Sequence, residues 1–281
     1  MTEKIIRVFP TKTSMSPIGG CAFYGLPPFK EFLPEHDEVH ISVVFTWDKL
    51  KAGKLILNWQ GVTNKPVKIG GPAYDDPGDE FITGMYLKKG ITITSRGCPN
   101  NCQYCFVYRR EGDIRELPIA EGNIIQDNNF LACSKIHRQK VYDMLRSQKS
   151  ICFKGGLQAK LINSWDVEQL RSLRIKELWL ACDSHNALLQ TVPAIQRLLQ
   201  AGFKQNHIRC YVLIGFDMEE EQNRLKQLLK AGCLPFAQLY QPEERIEYDY
   251  KWREFSRVWS RPAIYRTTKR DRYARFCEKE V

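Results

Sequence analysis

Ile91-Thr92-Ile93-Thr94-Ser95 runs through Arg96-Gly97 into Cys98-Pro99-Asn100-Asn101-Cys102-Gln103-Tyr104-Cys105, and the reading of the whole chain turns on this stretch. Its first five residues have strand character, and the loop behind them sets three cysteines at C-x3-C-x2-C spacing. Thiolates are soft ligands that suit iron-sulfur clusters or zinc, and a loop this short can bring three sulfurs round one face of a cubane. A four-iron cluster held by three thiolates keeps one iron open to a small molecule, by the logic that separates a catalytic metal site from a closed structural one. The plainer alternative is a zinc knuckle completed by Cys133 or His137. Structural zinc sites usually supply ligands in two close pairs, and no second pair follows here.

At Cys98, Cys102 and Cys105, with Tyr104 as the aromatic just before the third cysteine, the sequence resembles the radical S-adenosylmethionine (radical SAM) enzymes. The resemblance implies a 4Fe-4S cluster on those three residues as metal ligands. It also implies S-adenosyl-L-methionine chelated at the open iron, reductive cleavage to a 5'-deoxyadenosyl radical, and catalytic activity on a substrate the sequence does not name. A reductant such as flavodoxin or ferredoxin is the partner such chemistry needs. The rival from another class is a non-catalytic iron-sulfur or zinc protein that binds nucleic acid.

The chain has 281 residues, room for one large domain or a large and a small one. Hydrophobic residues make up 43% and charged residues 26%, which places it among ordinary globular proteins rather than disordered ones. No apolar run approaches a membrane span and the N-terminus lacks a signal-peptide pattern, so the expected compartment is cytoplasmic. In a leaderless chain of this length the ten cysteines point to thiols and metal rather than disulfides. Cys21, Cys133, Cys152, Cys182, Cys210, Cys233 and Cys277 form no close pair, and read as small buried apolar residues. The formal net charge of +10 favours a polyanionic partner.

Lys4 to Phe9 reads as a strand, Pro10 to Pro34 as loop, and Val39 to Trp47 as the clearest early strand. Asp48 is a candidate cap for the next helix, and Val67-Lys68-Ile69 is a strand running into Gly70-Gly71-Pro72. Strand, helix, strand with glycines at the turn predicts a small α/β unit. Gly70-Gly71-Pro72 also resembles the end of the cobalamin-binding domain that precedes the radical module in one branch of the superfamily. The cobalt-ligating Asp-x-His-x-x-Gly motif is absent, so a reduced Rossmann-like relic is expected there, or glycines that merely turn a strand.

Six strands are predicted from Gly90 onward: 91–95, 123–127, 151–154, 177–182, 208–214 and 236–240. Helical patterns at 135–147, 164–173, 187–201 and 218–231 lie between them, with Gly202 and Gly232 where helix ends belong. Such alternation demands a parallel sheet with right-handed crossovers. The resemblance implies a partial (β/α)6 TIM-like radical SAM barrel. The expected domains are therefore 1–88, 89–245 and a basic aromatic C-terminal segment, 246–281.

Chemistry in parallel β/α folds gathers at the carboxyl ends of strands. The second predicted strand ends in Asp127-Asn128, either of which could accept from an amine or simply close an Asx turn. The third ends in Lys154-Gly155-Gly156-Leu157-Gln158, where glycines let backbone approach a ligand and Gln158 offers a donor. In the fourth, Asp183 suits a ribose hydroxyl, Ser184 stands beside it, and His185 is the candidate catalytic residue or a plain loop histidine. Ile214-Gly215, closing the fifth, resembles the strand that packs on adenine in the family. Together with Tyr104 these are the candidate cofactor-binding residues.

From Lys251 to Phe276 the chain interleaves Trp252, Phe255, Trp259, Tyr265, Tyr273 and Phe276 with arginines and lysines. Basic and aromatic side chains together suit nucleic acid. The spacing of Trp252, Phe255 and Trp259 instead predicts one buried helix face, which leaves Arg261 to Arg275 as the candidate nucleic-acid surface.

Overall fold

Apolar and polar residues alternate along Ile5–Phe9 (β1) and Glu38–Ser42 (β3), so that Ile6, Val8, Val39 and Ile41 are buried while Arg7 and His40 stand on the opposite face. The computed structural model describes residues 4–76, 78 and 80–267. The chain divides into two compact units, 1–92 with 243–245, and 93–242 with 246–281.

In the first unit, Ala22–Tyr24 (β2) and Val67–Gly70 (β4) complete a parallel four-stranded sheet of order β2-β1-β3-β4. Helix α1 (Lys49–Gln60) lays Ala52, Leu55 and Trp59 on the buried face, and the Trp59 indole N–H bonds the Gly25 carbonyl at 3.1 Å. Three expectations change here. The strand predicted to reach Trp47 stops at Ser42, and Thr46–Asp48 forms a 3-10 turn. Asp48 makes no side-chain cap, its Oδ1 accepting from Thr11 instead at 3.1 Å. β2 lies inside the predicted loop, three residues being too short for a periodic signal. Gly71 turns the chain after β4 at φ +104°, where a Cβ would stand 2.8 Å from the Val43 carbonyl oxygen.

Six strands form the larger parallel sheet, in the order β12-β11-β10-β9-β8-β5. They are β5 (Ile91–Thr92), β8 (Ile124–Ile125), β9 (Ile151–Leu157), β10 (Ile175–Ala181), β11 (Ile208–Ile214) and β12 (Leu234–Leu239). The helices α3 (Lys135–Arg146), α4 (Ser164–Arg171), α5 (His185–Gln200) and α6 (Met218–Ala231) connect β8 to β12 in turn. A short antiparallel pair, β6 (Ser95–Arg96) with β7 (Arg115–Glu116), brackets α2 (Val107–Glu111) and the cysteine loop. The strand predicted over 91–95 is split because the Thr94 N–H leaves the ladder for the Asp127 carboxylate at 2.6 Å. β12 and β5 stand at the two ends of the sheet, and among the described residues no pairing joins them. The fold is mixed α/β with parallel sheets.

Helix α7 (Tyr250–Trp259) packs against β12 through buried Phe255 and Trp259, with Trp252 half-buried beside them. In α8 (Pro262–Thr267), Tyr265 is buried and its hydroxyl reaches the Pro235 carbonyl at 3.3 Å. Part of the expected nucleic-acid surface is therefore core, and its remainder from 268 onward lies outside the described residues. Among the described residues no helix is long and apolar enough to cross a membrane.

Candidate functional site

Parallel strands joined by helices carry the loops after β8, β9, β10, β11 and β12 to one edge of the sheet. The carboxylate of Asp127 is buried there, accepting from the Thr94 N–H and hydroxyl at 2.6 Å each and from the Ser95 hydroxyl at 2.8 Å. Burial pushes its pKa up, and the bonds from Thr94 and Ser95 pull it back only in part. These bonds fasten the base of the cysteine loop, so Asp127 is not the free acceptor expected of it. Asn128 donates to Glu111 Oε2 at 2.7 Å, the same oxygen that accepts from the Gly97 N–H at 3.1 Å.

Asn129, one residue further, is a site residue that the sequence reading missed. It is buried, donates to Gln158 Oε1 at 2.8 Å and approaches Cys98 Sγ at 3.3 Å, while its own Oδ1 is buried with no hydrogen-bond partner. Gly155 lets β9 pass the chain at Asp127, since a Cβ would stand 1.8 Å from the Asp127 carbonyl oxygen. Gly156 follows at φ +97° with open space where a Cβ would point.

Asp183 keeps an open face, yet the protein around its carboxyl pushes the pKa up against the Leu213 N–H, which it accepts at 2.8 Å, and against Arg224. Ser184 caps α5, accepting from the Ala187 N–H at 3.1 Å. Ile214 is core, and its carbonyl takes the Tyr240 N–H at 2.9 Å. Gly215 gives its N–H to both oxygens of Glu221 at 3.1 Å. Beyond these strand ends three rings meet: Tyr104 lies 4.6 Å from Phe216 and 5.3 Å from Tyr240, with Tyr104 37% and Phe216 49% exposed. Phe216 closes the stretch whose resemblance implied packing on adenine, whereas Tyr240 was not expected here.

His185 opens α5 and lines a separate groove of about 360 Å³ with Asp217, Glu219, Glu220 and Arg224. It is not among the side chains gathered round Tyr104 and Asn129.

The cysteine loop is held by backbone bonds, Cys98 N–H to Gly112 carbonyl and Cys105 N–H to Cys102 carbonyl, both 3.0 Å. Burial pushes the Cys102 thiol up, with Cys105 and Cys98 adding to it and Lys160 opposing. Burial does the same to Cys105, and the charge of Asp183 reaches both thiols. Asp183 and Lys160 therefore lie within electrostatic range of the loop.

The expected metal centre is overturned. Among the described residues no three His, Cys, Asp or Glu side chains come together in a way that could hold a metal ion. In the fold Asn129 Nδ2 meets Cys98 Sγ at 3.3 Å, and the three thiols of the loop do not form a set able to share one ion. Without Cys98, Cys102 and Cys105 as ligands, the residues present do not fit a 4Fe-4S cluster or S-adenosyl-L-methionine chelated to it. Neither the resemblance to the radical SAM enzymes nor the radical mechanism it implies is supported by the fold. The zinc alternative fails on the same finding, since among the described residues neither Cys133 nor His137, both buried, joins a group able to hold a metal ion. No protein-family model matches the chain, and no curated protein matches it.

Proposed function

We propose that the strands and helices of residues 93–242 form an open, partial α/β barrel, and that its carboxyl edge binds a small molecule carrying a flat ring and neighbouring hydroxyl groups. The chemistry of a nucleoside meets that description. The observation that carries this reading is the ring cluster of Tyr104, Phe216 and Tyr240, two of its members exposed, with Asp183 at the end of the neighbouring strand β10. Aromatic rings left open to water at the edge where α/β sheets bind ligands form a platform for a planar group. A carboxylate can accept from two hydroxyls at once, and one Asp183 oxygen is already placed by Leu213. Gln158 and the unsatisfied Asn129 oxygen supply further polar contacts when the amides turn.

Equilibrium dialysis with adenosine, guanosine, cytidine and uridine tests the reading. Binding of at least one is expected, weakened about 5- to 150-fold by Tyr104→Ala, the loss of roughly 1–3 kcal/mol of stacking. Asp183→Asn should weaken the nucleoside more than the matching free base. Absence of binding by all four, or affinities that ignore both substitutions, would overturn it.

A further inference from the structure

The first unit carries a second constellation, unrelated to the edge just described. Glu38 and His40 are two residues apart on β3, so both side chains project from the face of the sheet opposite α1. Lys68 on β4 is paired in register with His40. Glu38 Oε2 lies 2.7 Å from His40 Nε2, and Lys68 Nζ donates to Glu38 Oε1 at 2.6 Å. On the other side of the imidazole, His40 Nδ1 lies 2.5 Å from the Tyr86 hydroxyl, the two rings being close to parallel. An ionised carboxylate only accepts, so in the neutral imidazole Nε2 carries the hydrogen and Nδ1 presents its lone pair to the phenol.

The arrangement is carboxylate, imidazole and hydroxyl in series, which is recognised by geometry and roles rather than by position in a chain. Each member is held in place. Lys68 first and His40 second keep the Glu38 carboxyl below its ordinary pKa, so it stays ionised. The Arg7 guanidinium donates to the Gly84 and Met85 carbonyls at 2.8 Å each, fixing the approach of the chain to Tyr86. The phenol itself rests protonated: burial raises its pKa, Asp76 and Glu38 add to this, and Arg7 opposes it. A neutral phenol needs a base before it can attack, and His40 is in position to serve. Tyr86 is 39% exposed, so an electrophile can reach it.

We propose that Tyr86 is a nucleophile with His40 as its general base and Glu38 as the residue that orients the imidazole, and that it accepts an acyl group from an activated ester. In the step, the Tyr86 oxygen forms a bond to the ester carbonyl carbon and its proton passes to His40 Nδ1. The bond to the leaving alkoxide or phenoxide breaks with its electron pair. Glu38 stabilises the imidazolium, which returns its proton to solvent or to the leaving group. No oxidant or reductant is involved.

The full chain is treated with limiting p-nitrophenyl acetate, and acetyl groups are mapped by peptide mass spectrometry. Acetylation of Tyr86 at least tenfold faster than that of Tyr108, which is equally exposed at 39%, or of Tyr250 at 75%, is expected. His40→Gln should remove that advantage while leaving Tyr108 and Tyr250 unchanged, with far-UV circular dichroism as the check on folding. Glu38→Gln is the second variant and should slow Tyr86 alone, so the test stands even where His40→Gln fails to fold. Equal rates at the three tyrosines, or a Tyr86 rate untouched by a folded variant, would overturn the proposal.

Discussion

Asp127 is a strand-end aspartate whose bonding capacity is taken up by its own fold. Three donors from Thr94 and Ser95 hold its carboxylate, and burial nevertheless raises its pKa above the ordinary 3.8. A folded-state pKa above the unfolded one means that the folded protein binds the proton more tightly. The stabilisation from this group is therefore complete below about pH 3.8 and is lost as pH rises through the folded value. Urea unfolding across that range should show the stability of the native protein falling relative to that of Asp127→Asn, which cannot ionise. A difference between the two that stays flat with pH would mean that the carboxyl is not raised. Gly155 belongs to the same knot, since its missing side chain is what admits the Asp127 carbonyl.

Helix α7 shows what element-level pattern can and cannot deliver. Trp252, Phe255 and Trp259 share a face at helical spacing, and the two fully buried rings, Phe255 and Trp259, seal against β12. Trp259→Ala should cost about 3–5 kcal/mol in urea unfolding, and Trp252→Ala distinctly less because that ring is half-buried. A loss below about 1 kcal/mol for Trp259 would show that the helix is not part of the core. Where local pattern and local caps coincide, the sequence was legible to the residue. β11 runs over its predicted 208–214, and α6 over its predicted 218–231, between the Asp217 cap and left-handed Gly232. Where a partner distant in sequence decides, it was not. The break between β5 and β6 depends on Asp127, 33 residues beyond Thr94, and β9 runs on through its glycines because of the same contact. At the candidate site, Tyr104, Gln158, Asp183 and the stretch ending in Phe216 were within reach of a reading of strand ends, whereas Asn129 and Tyr240 were not singled out. The cysteine spacing misled for a related reason: spacing fixes how close three residues lie along the chain, not which way their sulfurs point.

At the scale of the whole molecule the formal charge of +10 is the dominant quantity, and it bears on partners rather than on fold. Tyr265 shows that an aromatic in a basic stretch can be core, its ring buried and its hydroxyl on Pro235, so aromatic content alone does not mark a nucleic-acid surface. Charge is the better criterion, because binding to a polyanion releases counterions and its affinity falls linearly with salt on logarithmic axes. Arg266, Lys269, Arg270 and Arg272 are the densest basic run near the C-terminus. The native protein should bind an oligothymidylate with an affinity that drops steeply as salt rises. Exchanging those four residues for glutamine should flatten the slope by up to about 3, at roughly 0.7 for each phosphate of a single strand that is no longer neutralised, and should leave the urea midpoint unchanged. Binding of whichever nucleoside the proposed site takes up should not respond to the exchange. Oligothymidylate binding that ignores salt would mean that the excess positive charge serves solubility alone, and a slope that survives the exchange would mean that other basic residues meet the phosphates.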